Sequence, residues 1–187
     1  MRDPLRRYGK AEIERFLEEV NAGLERPAEV IVIGWAAAIL GYDAPGRTQD
    51  IDTETTVSKA LESAIARARQ ATGLSLPFGK AGVSDAPYEF ESRLIRVVPH
   101  LERLIVLVPE KHDLALMKVV RGHDRDIEAL RALHERSPLD CDVLVRLWRE
   151  EMGQAIGEPR RLRDNFLALI ESLFPERLPE IERRLLV

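Results

Sequence analysis

Apolar positions along this chain alternate between helical spacing and short continuous runs, and the switches mark its elements. Ile13, Phe16, Leu17, Val20 and Leu24 recur at helical spacing with Glu and Arg between them. They predict an amphipathic helix that ends near Pro27. Glu29 to Ile33 is short, apolar and β-branched, as a buried strand is. Gly34 to Leu40 is Ala-rich and suits a helix packed closely on a sheet, and Gly41 to Gly46 reads as a loop. Gln49 to Glu54 reads as a second strand. Thr55 to Thr72, with Val57, Leu61, Ile65 and Ala68, reads as a second amphipathic helix. Gly73 to Pro87 is punctuated by Gly and Pro and reads as loop. Tyr88 to Val98 alternates loosely as a strand, and Leu104 to Val108 is a more buried one.

From Pro109 onward only the helical period remains. Pro109 opens a helix carrying Leu114, Leu116, Met117, Val119 and Val120, with Gly122 suited to its C-terminal cap. Asp124 is expected to cap the next helix, which carries Ile127, Leu130 and Leu133. Ser137-Pro138 opens a third, with Asp140 placed like a capping-box acid and Leu144, Leu147 and Trp148 facing the core. Arg160 to Phe174 and Pro179 to Leu186 complete the series as two closing helices. Strands confined to the first half and helices to the second predict an α+β fold: a small mixed sheet with flanking helices over 1–108, and a helical C-terminal region, 109–187, packed on it.

The chain has 187 residues, 45% of them hydrophobic and 32% charged, enough for a core and a solvated surface. A net charge of −4 argues against broad nonspecific nucleic-acid binding and leaves room for a local basic patch, such as Arg160-Arg161-Leu162-Arg163. The single cysteine, Cys141, rules out an internal disulfide framework and fits a reducing compartment. The N-terminal stretch from Met1 to Arg15 lacks the apolar centre of a signal peptide, and no apolar run approaches the ~18 residues of a membrane span. A cytoplasmic location without membrane association is expected.

The chemistry is concentrated in Asp50-Ile51-Asp52. On a strand, alternate residues point to one face with Cα atoms roughly 6.5–7 Å apart, so both carboxylates face together and Ile51 turns away. Two acids side by side are unfavourable without a cation, and carboxylates with substrate phosphates are the surroundings Mg²⁺ favours. Thr48 and Glu54 share their parity. The pattern alone also fits a solvated edge strand. The four histidines, His100, His112, His123 and His134, show no zinc spacing with Cys141, and no Walker-type, dinucleotide-binding or nucleophile-elbow motif is present.

The order apolar strand, Gly34 turn, small-residue helix and then Arg47-Thr48-Gln49-Asp50-Ile51-Asp52 resembles the nucleotidyltransferase superfamily of the polymerase-beta type. A closer likeness is to the AbiEii/MenT-type toxin nucleotidyltransferases and their uncharacterised relatives. Those carry a basic residue and Ser or Thr before the D-x-D, then a helix with a Lys and an Arg-Asp segment. Here that later part reads D-L-A-L-M-K-V-V-R-G-H-D-R-D-I-E-A-L, Asp113 to Leu130, and the likeness runs from Val30 to Leu130. It implies a minimal nucleotidyltransferase fold with a C-terminal helical extension. It implies Asp50 and Asp52 as ligands of Mg²⁺ or Mn²⁺ and as catalytic residues, Gly34 and Trp35 at the phosphate turn, and Arg47 and Thr48 at the nucleotide. Lys118 and Asp126 match the family's catalytic Lys and later Asp, with Lys118 also on the phosphates. Trp35 departs from the pattern, which has Gly or Ser there, and an indole crowds the backbone that phosphates approach. For a third carboxylate Glu89, Glu91 and Glu102 are the candidates.

The implied activity is transfer of a nucleoside monophosphate from an NTP to a hydroxyl of RNA, tRNA included, or of protein, in a toxin that an antitoxin partner would restrain. The competing expectations are a catalytically degenerate member that binds nucleotide or a partner, and the antitoxin or scaffold half of a pair.

Overall fold

A computed structural model describes residues 6–82 and 85–185. The chain forms two compact units, one of Met1–Val83 with Leu94–Pro109, the other of Ser84–Arg93 with Glu110–Val187.

The first unit holds a five-stranded mixed sheet of order β3-β2-β1-β5-β4. Its strands are β1 (Ala28–Ile33), β2 (Ile51–Thr53), β3 (Phe78–Lys80), β4 (Ile95–Val97) and β5 (Leu104–Val108). β1 runs parallel to β5 and antiparallel to β2, β2 is parallel to β3, and β4 is antiparallel to β5. Val30 to Ile33 are all buried, as their unbroken apolar run requires of a central strand. Around the sheet lie α1 (Lys10–Gly23), α2 (Gly34–Tyr42) and α3 (Lys59–Thr72). α1 buries Ile13, Phe16, Leu17 and Val20, and packs against α3, which buries Leu61, Ala64, Ile65 and Ala68. Those are the apolar stripes the spacing predicts. α2 is buried continuously from Ala36 to Leu40, and the run of alanines brings its backbone close to the sheet.

The boundaries differ from the sequence expectation for local reasons. The second strand shrinks from 49–54 to Ile51–Thr53, and just before it Thr48 forms an isolated bridge with Tyr8. The following helix starts at Lys59 rather than Thr55, where Ser58 accepts the Leu61 amide proton at 3.3 Å and caps it. α2 runs on through Gly41 and Tyr42 until Asp43 turns left-handed at φ 51°. Within the expected loop 73–87, Phe78–Lys80 adds β3 to the sheet; three residues centred on Gly79 are too few to show a period. Of the expected strand 88–98 only Ile95–Val97 pairs, while Phe90–Arg93 forms a 3₁₀ turn.

The second unit is helical: α4 (Lys111–Val119), α5 (Asp124–Arg136), α6 (Cys141–Glu151), α7 (Pro159–Leu173) and α8 (Leu178–Leu185). Leu186, the expected end of the last helix, lies outside the described residues, as do Met1 to Leu5 of the N-terminal stretch. Several helices start away from the expected residue. α4 opens at Lys111 rather than Pro109, and Glu110 caps it by accepting the His112 amide proton at 2.8 Å. His123 takes the N-cap of α5, and Asp124 is its first helical residue. Asp140 caps α6 itself, accepting from the amides of Asp142 and Val143. Gly122, after α4, has φ +65°, and a Cβ there would lie 2.2 Å from Asn165 Nδ2. That amide, from α7, donates to the Val119 carbonyl at 3.1 Å, so glycine is required where α7 closes the end of α4. Among the described residues no helix is long and apolar enough to cross a membrane.

Candidate active site

In the first unit β1 passes into α2 through Gly34, whose φ is +69°. This left-handed turn opens the helix at once, and no side chain caps its N-terminus. Helix amides at such an end carry partial positive charge and suit an anion. The register pairs Ile33 with Asp52, so the turn sits next to β2. A Cβ on Gly34 would lie 3.7 Å from Asp52 Oδ2. The strand–turn–helix element and the second acid of the D-x-D are therefore immediate neighbours.

β2 alternates as expected. Ile51 and Thr53 are fully buried, Asp52 is half-buried, and Asp50, just before the strand, is exposed. Thr48 is buried and its Oγ1 donates to the Asp50 carbonyl at 3.1 Å, fixing the approach to β2. Thr53 Oγ1 donates to the Thr55 carbonyl at 2.9 Å, and Thr55 Oγ1 accepts the Ile31 amide proton at 3.2 Å. Both threonines thus lock the strand end from inside. Glu54 is half-buried beyond it. Arg47 pairs with Glu12 of α1 and donates from Nε to the Arg7 carbonyl at 2.9 Å. The Trp35 indole extends toward the loop after α2, with Nε1 3.9 Å from where a Cβ on Gly46 would stand.

The candidates for a third acid do not share a strand face, because no strand forms there: Glu89 lies in a turn and Glu91 in the 3₁₀ segment, both exposed. Glu102 is exposed in the turn before β5. Among the described residues no three His, Cys, Asp or Glu side chains gather into a metal-binding group.

In the second unit Lys118 and Asp126 form an ion pair at 3.0 Å, and each is about 5% exposed. Lys118 does not extend along the helix edge to water, as an isolated lysine between Met117 and Val119 would. Burial pulls its ammonium below its ordinary pKa, and the Asp126 carboxylate offsets part of that effect. Arg121 approaches the same oxygen, Asp126 Oδ1, at 3.4 Å, while among the described residues Oδ2 has no hydrogen-bond partner. Arg125 is exposed; the Asp124 side chain, its expected partner, is outside the described part.

A second buried network holds α4 from its other end. Asp113 is fully buried and receives two hydrogen bonds from Arg93, at 3.0 and 2.7 Å. The same guanidinium donates two to Glu151, at 3.0 and 2.7 Å. Burial pushes the Asp113 carboxyl up in pKa despite Arg93. Burial pushes Glu151 up too, but the bonds from Arg93 and the Glu89 amide outweigh it and hold that carboxyl below its usual range. His112 Nδ1 bonds Glu110 at 2.8 Å and Nε2 accepts the Asp140 amide proton at 2.7 Å, joining the caps of α4 and α6. Cys141 is buried, which raises its thiol pKa, so it is a poor nucleophile.

Arg93 and Glu151 gave no signal in the sequence. They lie 58 positions apart, and neither sits in a motif. A buried-acid pattern at Asp113, one charge in an apolar helix face, was the available clue.

No curated protein and no solved structure matches the chain. One family model, described as a nucleotidyltransferase of unknown function (DUF6036), matches residues 11–171, which takes in the Gly34 turn, the D-x-D strand, the Lys118–Asp126 pair and most of the helical unit. The chain belongs to this nucleotidyltransferase family.

Proposed function

We propose that this protein transfers a nucleoside monophosphate from an NTP to an acceptor hydroxyl, with Asp50 and Asp52 holding a divalent cation, Mg²⁺ or Mn²⁺. The observation that carries the reading is the left-handed Gly34 turn, which opens an uncapped helix beside Asp52 Oδ2. An uncapped helix end is a site for phosphate, and an adjacent carboxylate requires a cation if phosphate is to approach it. The donor set fits a hard cation. Two carboxylates leave the other positions to water and phosphate oxygens, an arrangement Mg²⁺ favours. When bound, such a cation neutralises charge on the triphosphate and on the departing diphosphate. Gly34 lets the backbone come close to phosphate, Thr48 steadies Asp50, and Trp35 bounds the turn on the side of the loop at Gly46. Arg47 is a further candidate for the nucleotide, once released from Glu12. The family resemblance extends catalysis to Lys118, on phosphate, and to Asp126, which orients it. It extends the biology to a toxin with RNA or protein as acceptor and an antitoxin partner.

The test is label transfer from each of four α-³²P NTPs to total RNA and total protein, with Mg²⁺, with Mn²⁺ and with EDTA. Label that requires the metal and is lost in Asp52→Ala supports the reading. No label under any condition overturns it in favour of a second reading, a nucleotide- or partner-binding module without catalysis. Two observations favour that reading: Trp35 at the turn, and the lack of a third acidic group among the described residues.

A further inference from the structure

The second unit carries an open groove of about 860 Å³. Its lining draws on three helices: Arg149 from α6, Arg160 and Arg163 from α7, and Arg184 from α8. Met152, Leu162 and Trp148 supply an apolar floor, with the Trp148 indole stacked on Phe166 at 4.5 Å. Four arginines line this groove in a chain whose net charge is −4. Their charges are poorly answered. Arg184 reaches Glu180 at 3.3 Å and Arg163 reaches Asp164 at 3.6 Å. Arg149 and Arg160 have no ion-pair partner among the described residues, and Arg163 Nε is buried there without a hydrogen-bond partner. The one carboxylate among the described lining residues, Glu158, caps α7 by accepting the amide protons of Arg160 and Arg161 at 2.9 and 2.7 Å.

Clustered guanidiniums, two of them without an ion-pair partner among the described residues, raise the local potential and attract a polyanion. Arginine forks match phosphate oxygens in pairs, and an apolar floor between them suits bases or ribose better than carboxylate side chains. The open form suits a chain that passes through rather than an enclosed small molecule. We propose that this groove binds the phosphate backbone of single-stranded RNA. Its assignment as the seat of the acceptor strand rests on the transfer reading above; the binding itself does not.

The test is fluorescence anisotropy of a 5′-labelled oligouridylate of about twelve nucleotides, within the range a single-strand site spans. The full chain is titrated in EDTA without nucleotide, so the outcome is independent of any transfer. The expected result is binding that weakens with salt, log K against log salt having a slope of about −3 if all four arginines meet phosphates. Arg149→Ala/Arg160→Ala/Arg184→Ala should lose about two units of that slope and at least tenfold in affinity at moderate salt, roughly in proportion to the contacts removed. The three substitutions to Lys should retain most of the slope. Addition of oligomer should quench tryptophan emission in the wild type and leave Trp148→Phe unchanged. Binding that is unaltered in the Ala variant overturns the proposal. So does equal competition by polyglutamate of the same length, or by inorganic phosphate alone. If label transfer fails while the oligomer binds with this arginine dependence, the groove stands and the acceptor role falls.

Discussion

The two units treat charge in opposite ways. Among the described residues of the sheet unit the buried polar side chains are threonines, Thr48 and Thr53, and the carboxylates of the D-x-D stay at or near the surface. In the helical unit the buried polar side chains are ionisable: His112, Asp113, Lys118 and Asp126. Threonine hydroxyls satisfy backbone carbonyls cheaply, so the sheet unit can hold its strand ends rigid without committing a charge. A buried charge is costly unless paired, so each one in the helical unit is bound to the fold by a partner. The comparison separates two kinds of acid. On the transfer reading proposed above Asp50 and Asp52 serve a ligand, whereas Asp113 is bound to its neighbours in the fold. Asp126 is the case between, one oxygen committed to Lys118 and the other unpartnered among the described residues.

The largest expected effect breaks the comparison if it comes out wrong. Asp52→Ala should remove label transfer by at least about a thousandfold, the scale of losing a group that stabilises developing charge. It should change stability by less than about 1 kcal/mol, because the side chain is only half-buried. Steady-state transfer and urea unfolding on the same preparation check both. A large loss of stability would place Asp52 with Asp113 and erase the distinction.

Next in size is Arg93→Ala. It leaves Asp113 buried without its guanidinium and should cost about 3–4 kcal/mol. The urea midpoint reads it directly. Arg93→Met/Asp113→Leu should recover most of the loss, since removing both partners strands no charge. If the single substitution is nearly neutral, the network is ornament and the contrast between the units weakens.

The Lys118–Asp126 pair sharpens the comparison. Lys118→Met strands Asp126 and should cost about 3 kcal/mol. The double change Lys118→Met/Asp126→Leu should return stability to within roughly 1 kcal/mol of wild type. A structural pair would then regain transfer activity with stability. A catalytic pair would not, and the combination of wild-type melting with absent transfer is the expected outcome.

Which parts of this were readable in the chain follows from the same physics. The stripe Ile13, Phe16, Leu17, Val20 and the run Val30 to Ile33 predicted α1 and β1, because one-sided burial and full burial each leave a period or a run. β3 was not readable, since Phe78-Gly79-Lys80 joins the sheet through backbone pairing with β2 and carries no apolar pattern. Asp50 and Asp52 could be singled out because two acids at strand spacing are a local anomaly. The partnership of Lys118 with Asp126 could be guessed only through resemblance; it spans eight positions across two helices. Of the groove arginines, Arg160 and Arg163 stand out in sequence as a local basic patch, whereas Arg149 and Arg184 come from other helices and only the fold brings them alongside. Long-range electrostatics leaves little trace in sequence order.

The smallest effect tests whether the helical unit's charges act as a set. Glu151 titrates below its ordinary range in the folded chain, so between the folded and unfolded values the unfolded state binds more protons. Its contribution is therefore present above about pH 4.5 and lost as pH falls through the lower, folded value. Asp113 acts with the opposite sign. Its pKa is raised by burial, so its contribution is present below the ordinary aspartate range and is lost as pH rises through the folded value. Glu151→Gln should flatten the acid limb of the urea midpoint below about pH 4.5, by less than about 1 kcal/mol, since Glu151 is only partly shielded from water. The neutral amide also relieves Asp113 of a repelling charge, which lowers the Asp113 pKa and weakens the opposing limb. The two changes have opposite signs, so the second offsets part of the first where Arg93 couples the carboxylates. A Gln variant whose acid limb flattens with no accompanying change in the Asp113 limb would mean that Arg93 holds the two carboxylates separately, and the helical unit would then contain isolated pairs rather than a network.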